Sequence, residues 1–446
     1  MIATGGYWAA GGKSGCHSLK CVSACSSGCT GSVPILSSCS SGPTGLWYFP
    51  TDQDRSVKVL NRRGVCGPAE PGRKSERLTD CWHTITIRQY LKVEIMSSGV
   101  DPINDAEDAA LIEAMAEVNL KPLWRLYKGL NTSEPRHLEP ILWSWDVTEP
   151  LIARAAAEVD MAHAERRALM LSHPALSETT FTTPTLSAAL QILEPGEKAH
   201  AHRHTLAALR FVIAGDGAIT TTDGKECLMR PGDLVLTPAW TWHKHYHPGS
   251  ERAVWLDCLD APLCTAIGTV FFEHGPGPET HSLELKEADE AYSGAGVLPQ
   301  SGTVAHEHDY SPLFRYPWSE VSAALDSMSL EKDEFRRVRY VNPLNGGPVM
   351  PTIDCFAERF AKGRQTQACR TTATAIVIVV DGEGSSQIGS TQFSWKKNDV
   401  FTLPRWQWFQ HTASSDSASL FLMTDRAFVS SIAHLREETQ PRSLEA

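Results

Sequence analysis

Long apolar runs are missing from this chain. None of its 446 residues lies in a stretch approaching the roughly 18 consecutive apolar residues of a membrane-spanning helix, and no early stretch has the apolar core of a signal peptide. Base is scarce too. Lys+Arg number 41 against 52 Asp+Glu, a net charge of −11, which excludes a general nucleic-acid binder that must neutralise phosphates. Acid is absent before Asp52 and arginine before Arg55, a faint transit-peptide look without an amphipathic face. The C-x2-C pairing of a structural zinc site is also lacking among Cys16, Cys21, Cys25, Cys29, Cys39, Cys66 and Cys81, although seven of the 12 cysteines fall there. With no sign of an oxidising compartment, disulfides are not expected and the chain is placed in the cytoplasm.

Residues 1–95 carry 11 Lys/Arg and six Asp/Glu, and Ser/Gly-rich runs such as CVSACSSGCTG. That composition predicts a disordered, low-complexity extension or a gene-model artefact, with a conventional folded start after Met96. Residues 96–180 form a helical N-terminal region. DAEDAALIEAMAEV over 105–118 is amphipathic, with acids in its first turn, and a second helix is expected within 149–172. From 185 the period shortens. Apolar runs punctuated by Gly, Pro and Asp predict short strands of a β-sandwich or barrel. The expected divisions are a first barrel at 181–275, a linker with a helix at 276–330, a second barrel at 331–436 and a tail at 437–446.

The two barrels are copies. RFVIAGDGAITTTDG…PAWTWHKH matches AIVIVVDGEGSSQIG…PRWQWFQH at an offset of 167 residues (Gly196/Gly363, Gly215/Gly382), falling to 166 at Pro238/Pro404, Trp240/Trp406 and His245/His411. One residue deleted in a turn explains the step.

The first copy reads G-x5-H-x-H at Gly196, His202 and His204, then G-x5-P-x-W-x2-H at Gly232, Pro238, Trp240 and His243. These resemble the two signatures of the cupins, small double-stranded β-helix (jelly-roll) barrels, with Trp240 in place of a glycine. The fold expected is therefore mainly β: two cupin barrels with N-terminal helices. Residues two apart on a strand share a face, so His202 and His204 can point inward, and His243 completes a metal triad. The carboxylate that the cupin pattern usually adds is missing; Ala208 and Leu209 stand there. Three neutral imidazoles leave the full charge on the metal and favour an anionic chelating substrate. Fe(II) suits this better than zinc, whose tetrahedral sites offer one open position. His200, two residues before His202, can also face inward and is expected as a lining residue outside the motif. In the second copy the triad becomes Cys369, Thr371 and Phe409, so no metal is expected there.

PGEKAHAHRHTLAALRFVIAGDGA, GDLVLTPAWTWHKHYH, WLDCLDAPL and RYVNPLNGGPVMPTI together resemble the gentisate 1,2-dioxygenases, over roughly 110–436. The resemblance implies a homotetrameric bicupin that holds Fe(II) in its first barrel and cleaves gentisate with O2 to maleylpyruvate. Gentisate can chelate iron through its carboxylate and ortho hydroxyl. Arg210, a charge between Leu209 and Phe211, suits a substrate carboxylate. Arg166 and Arg167 are expected on the helix before the barrel, and the resemblance singles out Arg166 as substrate-binding. His245 is a candidate proton acceptor with a pKa in the working range. Asp257, in an apolar strand, is a candidate to orient a ligand histidine or to assist proton transfer. Gln191 is a polar lining candidate, and Trp240 and Trp242 are candidates for an apolar wall. The rivals are cleavage of salicylate or 1-hydroxy-2-naphthoate by the same barrel, a non-catalytic bicupin for binding or storage, and a zinc sugar-phosphate isomerase, which the missing Glu disfavours.

Overall fold

The structure, a computed structural model, describes residues 47–50, 56–60, 84–86, 108–125, 134, 137–161, 164, 166–275, 309–328 and 335–440. The chain divides into two units, 1–126 and 127–446. In the first, β1 (Trp47–Pro50), β2 (Ser56–Leu60) and β3 (Thr84–Thr86) form a small antiparallel sheet in that order. That sheet is the described part of the extension expected over 1–95; the cysteine cluster lies outside the described residues. Helix α1 (Ala109–Glu117) is shorter than 105–118 and has no acid in its first turn. Asp108 just ahead of it instead accepts from Trp124 Nε1 at 2.7 Å and Arg125 Nε at 3.1 Å.

The second unit opens with β4 (Leu142–Trp143), α2 (Trp145–Glu158) and β5 (Ala168–Met170). There follow β6 (Ser187–Leu193), β7 (Lys198–His204), β8 (Ala208–Ala214), β9 (Ala218–Thr222), β10 (Lys225–Met229), β11 (Leu234–Thr237), β12 (His243–Tyr246), β13 (Ala253–Leu259), α3 (Ala261–Ala266) and β14 (Phe272–His274). A second series starts with β15 (Arg315–Tyr316), α4 (Trp318–Ser327) and β16 (Phe335–Arg339). It continues as β17 (Asp354–Ala361), β18 (Cys369–Thr371), β19 (Ala375–Asp381), β20 (Glu383–Ile388), β21 (Thr391–Lys396), β22 (Val400–Leu403), β23 (Phe409–Ala413) and β24 (Ser417–Thr424), then α5 (Arg426–Ser431) and β25 (Glu437–Thr439).

Each series builds two antiparallel sheets, and their orders match strand for strand. The five-stranded sheets run β10-β9-β12-β7-β14 and β21-β20-β23-β18-β25; the six-stranded ones run β15-β11-β8-β13-β6-β5 and β4-β22-β19-β24-β17-β16. The duplication thus extends past the barrels seen in sequence, and its edge strands are exchanged. β4, ahead of the first barrel in the chain, pairs with β22 of the second; β15, ahead of the second, pairs with β11 of the first. The two arms dock alike. Trp145 N–H donates to Asp399 Oδ1 at 2.7 Å, and Trp318 N–H to Asp233 Oδ1 at 2.9 Å. Trp318 also lies where a Cβ on Gly232 would fall, 2.6 Å from its Cγ, so that glycine at φ +90° cannot be replaced without moving the arm.

The six-stranded sheets are buried on both faces, which is why their strands read as continuous apolar runs. Leu209, Phe211, Val254 and Leu256 face the other barrel in one shared core with Ile376, Ile378, Phe421 and Met423. Phe211 stacks on Phe421 at 4.4 Å. Val212 and Trp255 face the first barrel's own interior instead, as Val377 and Leu420 face the second's. The expected helix over 149–172 ends at Glu158. Arg167 Nε donates to the carbonyl of Val159 at 3.0 Å, and 168–170 pair with β6, so sheet pairing overrides the helical pattern there.

Candidate metal centre

The first barrel brings His202, His204 and His243 together. His202 and His243 are direct partners in the β7–β12 register, with ring centroids 4.2 Å apart; His204 lies 4.8 Å from His243 and 5.3 Å from His202. All three are buried, and one nitrogen from each lies within 4.8 Å of the others. The Nδ1 atoms are all turned to backbone carbonyls: His202 to His200 at 3.3 Å, His204 to Leu206 at 2.8 Å and His243 to Thr241 at 3.0 Å. For His204 and His243, Nδ1–H donation of this kind fixes the tautomer that leaves Nε2 as the lone pair, whereas both ring nitrogens of His202 face Arg166 Nη2. Burial keeps the rings neutral. It pushes His243 well below the ordinary range, takes His204 down to about 4 and, helped by the charge of Arg166, takes His202 down to about 2. His243 Nε2 is buried without a hydrogen-bond partner. An orphaned acceptor of that kind is costly, and a metal ion satisfies it. Three neutral nitrogens with converging lone pairs are a fitting donor set for a divalent transition metal.

A β-bulge aims the triad. Between His243 and His245 on β12 the partner strand advances from His202 to Ala199, one residue more, and the faces of β7 change over. His200, two residues before His202, is therefore exposed rather than inward, which corrects the expectation from period two alone. Phe272 of β14, within the FFE run at 271–273 that shares the family resemblance, stacks on His202 at 5.0 Å.

Arg210 and Asp257 face each other in register across β8 and β13, both pointing into the barrel. Arg210 is 4% exposed. Its Nη1 donates to Thr237 Oγ1 at 2.8 Å, and its Nε is 3.1 Å from Asp257 Oδ1 but poorly aligned for a hydrogen bond. Trp255 Nε1 donates to the same oxygen at 3.1 Å. Burial pushes the Asp257 carboxyl up, and the Arg210 charge pulls it back. Asp257 thus meets arginine and tryptophan, not a ligand histidine. Gln191, opposite Trp255, is buried with Nε2 unpartnered.

His245 is buried beside the triad, 6.1 Å from the His243 ring, and shares Nδ1 with Thr220 Oγ1 at 2.9 Å. Burial, then the charges of Arg210 and Arg166, hold its pKa well below the working range expected of a proton acceptor. Arg166 is not helical. It lies in the segment before β5, where Nη2 donates to the His200 carbonyl at 3.2 Å and meets both ring nitrogens of His202. Arg167 forms a buried two-pronged pair with Glu197, at 2.6 and 3.1 Å, which holds the strand entry rather than the site. Trp240 and Trp242 bracket the guanidinium of Arg203, at 4.3 and 4.7 Å, outside the triad. Trp240 keeps the left-handed backbone (φ 63°) of the glycine it replaces, secured by its N–H on the His204 carbonyl at 2.7 Å.

Fold and site together define a bicupin with a trihistidine metal centre in one barrel. The Cupin domain family model matches residues 189–259. Gentisate 1,2 dioxygenase 1 of Aquipseudomonas alcaligenes is 36% identical over 329 residues, 72% of this chain and 92% of that protein. The 5-aminosalicylate 1,2-dioxygenase of Comamonas sp is 34% identical, covering 74% and 89%. Salicylate 1,2-dioxygenase from Pseudoaminobacter salicylatoxidans, solved as an adduct with gentisate, superposes at TM-score 0.71 with 28% identity over 77% of this chain and 97% of its own. The chain belongs to the gentisate 1,2-dioxygenase family of ring-cleaving bicupin dioxygenases.

Proposed function

We propose that this protein is an Fe(II)-dependent dioxygenase that converts gentisate and O2 to maleylpyruvate. Three buried imidazoles, with one ring nitrogen of each within 4.8 Å of the others, carry this reading. Ferrous iron held by His202, His204 and His243 would supply the redox-active centre at which a chelating substrate and O2 meet. Both oxygen atoms enter the product as the ring bond between the carboxylate-bearing and hydroxyl-bearing carbons breaks. Arg210 receives the substrate carboxylate, with Asp257 and Thr237 holding its guanidinium in place. Gln191 Nε2, and the unpartnered Nε2 of the neutral His245, offer a donor and an acceptor for ring oxygens. Arg166, against His202, adds a second cation for an anionic substrate.

The described cysteines are all free, in keeping with the reducing cytoplasm we assign. Ile267, Val270 and Phe271 are exposed beside the metal barrel, a surface for further copies in the homotetramer we propose. We propose 181–275 and 331–436 as the bodies of the two barrel domains, which β5 extends in the first and β25 in the second.

Oxygen uptake by iron-loaded protein decides between substrates. Gentisate should be consumed with one O2 per molecule, faster than salicylate or 1-hydroxy-2-naphthoate, and His243→Ala should lose both iron and uptake. Fastest uptake with either rival acid would reassign the substrate; no uptake with any of the three would end the enzymatic reading.

A further inference from the structure

The second barrel is hollow. A cavity of about 300 Å³ is lined by Cys369, Thr371 and Phe409, which stand where His202, His204 and His243 stand in the first. Cys369 and Phe409 keep the register of the lost ligands, as His202 and His243 do. Losing the triad has not led to filling of the space, as a purely structural copy would favour.

The hollow has a charge arrangement of its own. Glu358 and Arg337 face each other in register on β17 and β16, where β6 and β5 carry Gln191 and Ala168. The first barrel's Arg210–Asp257 pair is replaced by Val377 and Leu422, again in register. Each barrel therefore sets an arginine–carboxylate pair in register, on different strands. Glu358 is 4% exposed, with Oε1 3.3 Å from Arg337 Nε, while the Arg337 side chain is 42% exposed on the cavity wall. Arg337 lies over the Phe356 ring at 4.2 Å, and its Nη groups have no hydrogen-bond partner among the described residues. The other charges at the wall are committed: Arg426 gives Nε and Nη2 to the two oxygens of Glu437, at 3.0 and 2.8 Å. What remains open is a cation's donors above an apolar floor of Ala375, Leu403, Phe409 and Leu422. Anions with a flat apolar body suit such a wall, and the volume suits a single ring.

We propose that the second barrel is a metal-independent binding site for a small aromatic carboxylate, anchored by Arg337. Benzoate tests this, because it has the carboxylate and ring but no ortho hydroxyl for chelation. Calorimetric titration of the metal-loaded full chain should show one equivalent bound that Arg337→Met weakens at least about tenfold. Thr371→Phe, which fills the hollow, should abolish it, and Arg210→Met should leave it intact. Should Arg337→Met alone fail to fold because Glu358 loses its partner, Arg337→Met/Glu358→Met replaces it with the same expectation. No benzoate binding, binding indifferent to both cavity variants, or binding lost only with Arg210→Met would each overturn the proposal. Gentisate-dependent oxygen uptake, measured on Arg337→Met in parallel, reports on the first barrel alone, so failure of either reading shows separately.

Discussion

A buried Arg–carboxylate pair beside the triad can serve folding or substrate, and the duplicated barrel separates the two. Val377 and Leu422 show that this architecture accepts apolar side chains where the first barrel has Arg210 and Asp257. Arg210→Val alone strands a buried carboxylate and should cost about 3–5 kcal/mol, whereas Arg210→Val/Asp257→Leu should stay within about 2 kcal/mol of the parent. Chemical denaturation measures both. The double variant should keep its metal yet lose roughly ten- to a hundredfold in kcat/KM, the worth of a charge-assisted contact of about 1.5–3 kcal/mol. Full activity there would remove Arg210 from the substrate's partners. His411 yields a pH prediction by similar comparison. It is the counterpart of His245, and its Nδ1 meets Ser386 Oγ at 2.7 Å as that of His245 meets Thr220. The pairing persists where no metal triad exists, so it belongs to the fold. Burial takes His411 down to about 3. The folded state then binds fewer protons than the unfolded one below about pH 6.5, and stability falls as pH drops from there toward 3. At pH 5 the loss from this one ring is on the order of 2 kcal/mol. His411→Asn should flatten that acid limb in denaturation midpoints at pH 7 and 5; an identical limb would show that the ring titrates normally. The candidate residues were legible because polar side chains interrupt apolar strands at Gln191, Arg210 and Asp257. The hydroxyl partners of Arg210 and His245 were not, since Thr237 and Thr220 carry no distinguishing local pattern.

Between residue and barrel the recurring unit is a clamp. Arg203 pairs with Glu273 at 2.7 Å and lies between Trp240 and Trp242; Arg370 pairs with Glu438 at 2.8 Å and lies between Trp406 and Trp408. Trp240 and Trp406 share the left-handed backbone, φ 63° and 60°. Each clamp ties a short edge strand, β14 or β25, to the strand that carries the triad or its replacements. In the first barrel that edge strand brings Phe272 over His202. Arg203→Met should therefore speed metal loss to a chelator, while Arg370→Met should cost similar stability, about 1–2 kcal/mol, without changing metal loss. Equal rates in the two variants would confine the clamp to folding. Strands and turns of this unit were readable from Gly and Pro punctuation. The bulge that turns His200 outward was not, because one extra residue on β7 shows only against its partner strand. The helix expected through 149–172 failed for a related reason: the segment at 168–170 is claimed by β6, a choice made by tertiary pairing.

Over the whole second unit, the exchanged arms bind the two barrels into one folding entity. Sequence similarity revealed the barrels because Gly, Pro and Trp recur at fixed offsets. It missed the arms, whose correspondence rests on two tryptophan N–H groups and two aspartates, Trp145 to Asp399 and Trp318 to Asp233. A chain cut within 276–308 would leave the first fragment without β15 and the second without β4. Each would expose an edge of a six-stranded sheet, and the face that carries Phe211 or Phe421 would lose its cover. An open edge beside a large apolar face promotes aggregation. The two fragments should therefore be insoluble when expressed apart, and should co-purify in equal amounts with the metal retained when expressed together. Size-exclusion chromatography with metal analysis decides the matter. A first fragment that is soluble, monomeric and metal-bound by itself would show that the arms decorate two independent barrels rather than join them.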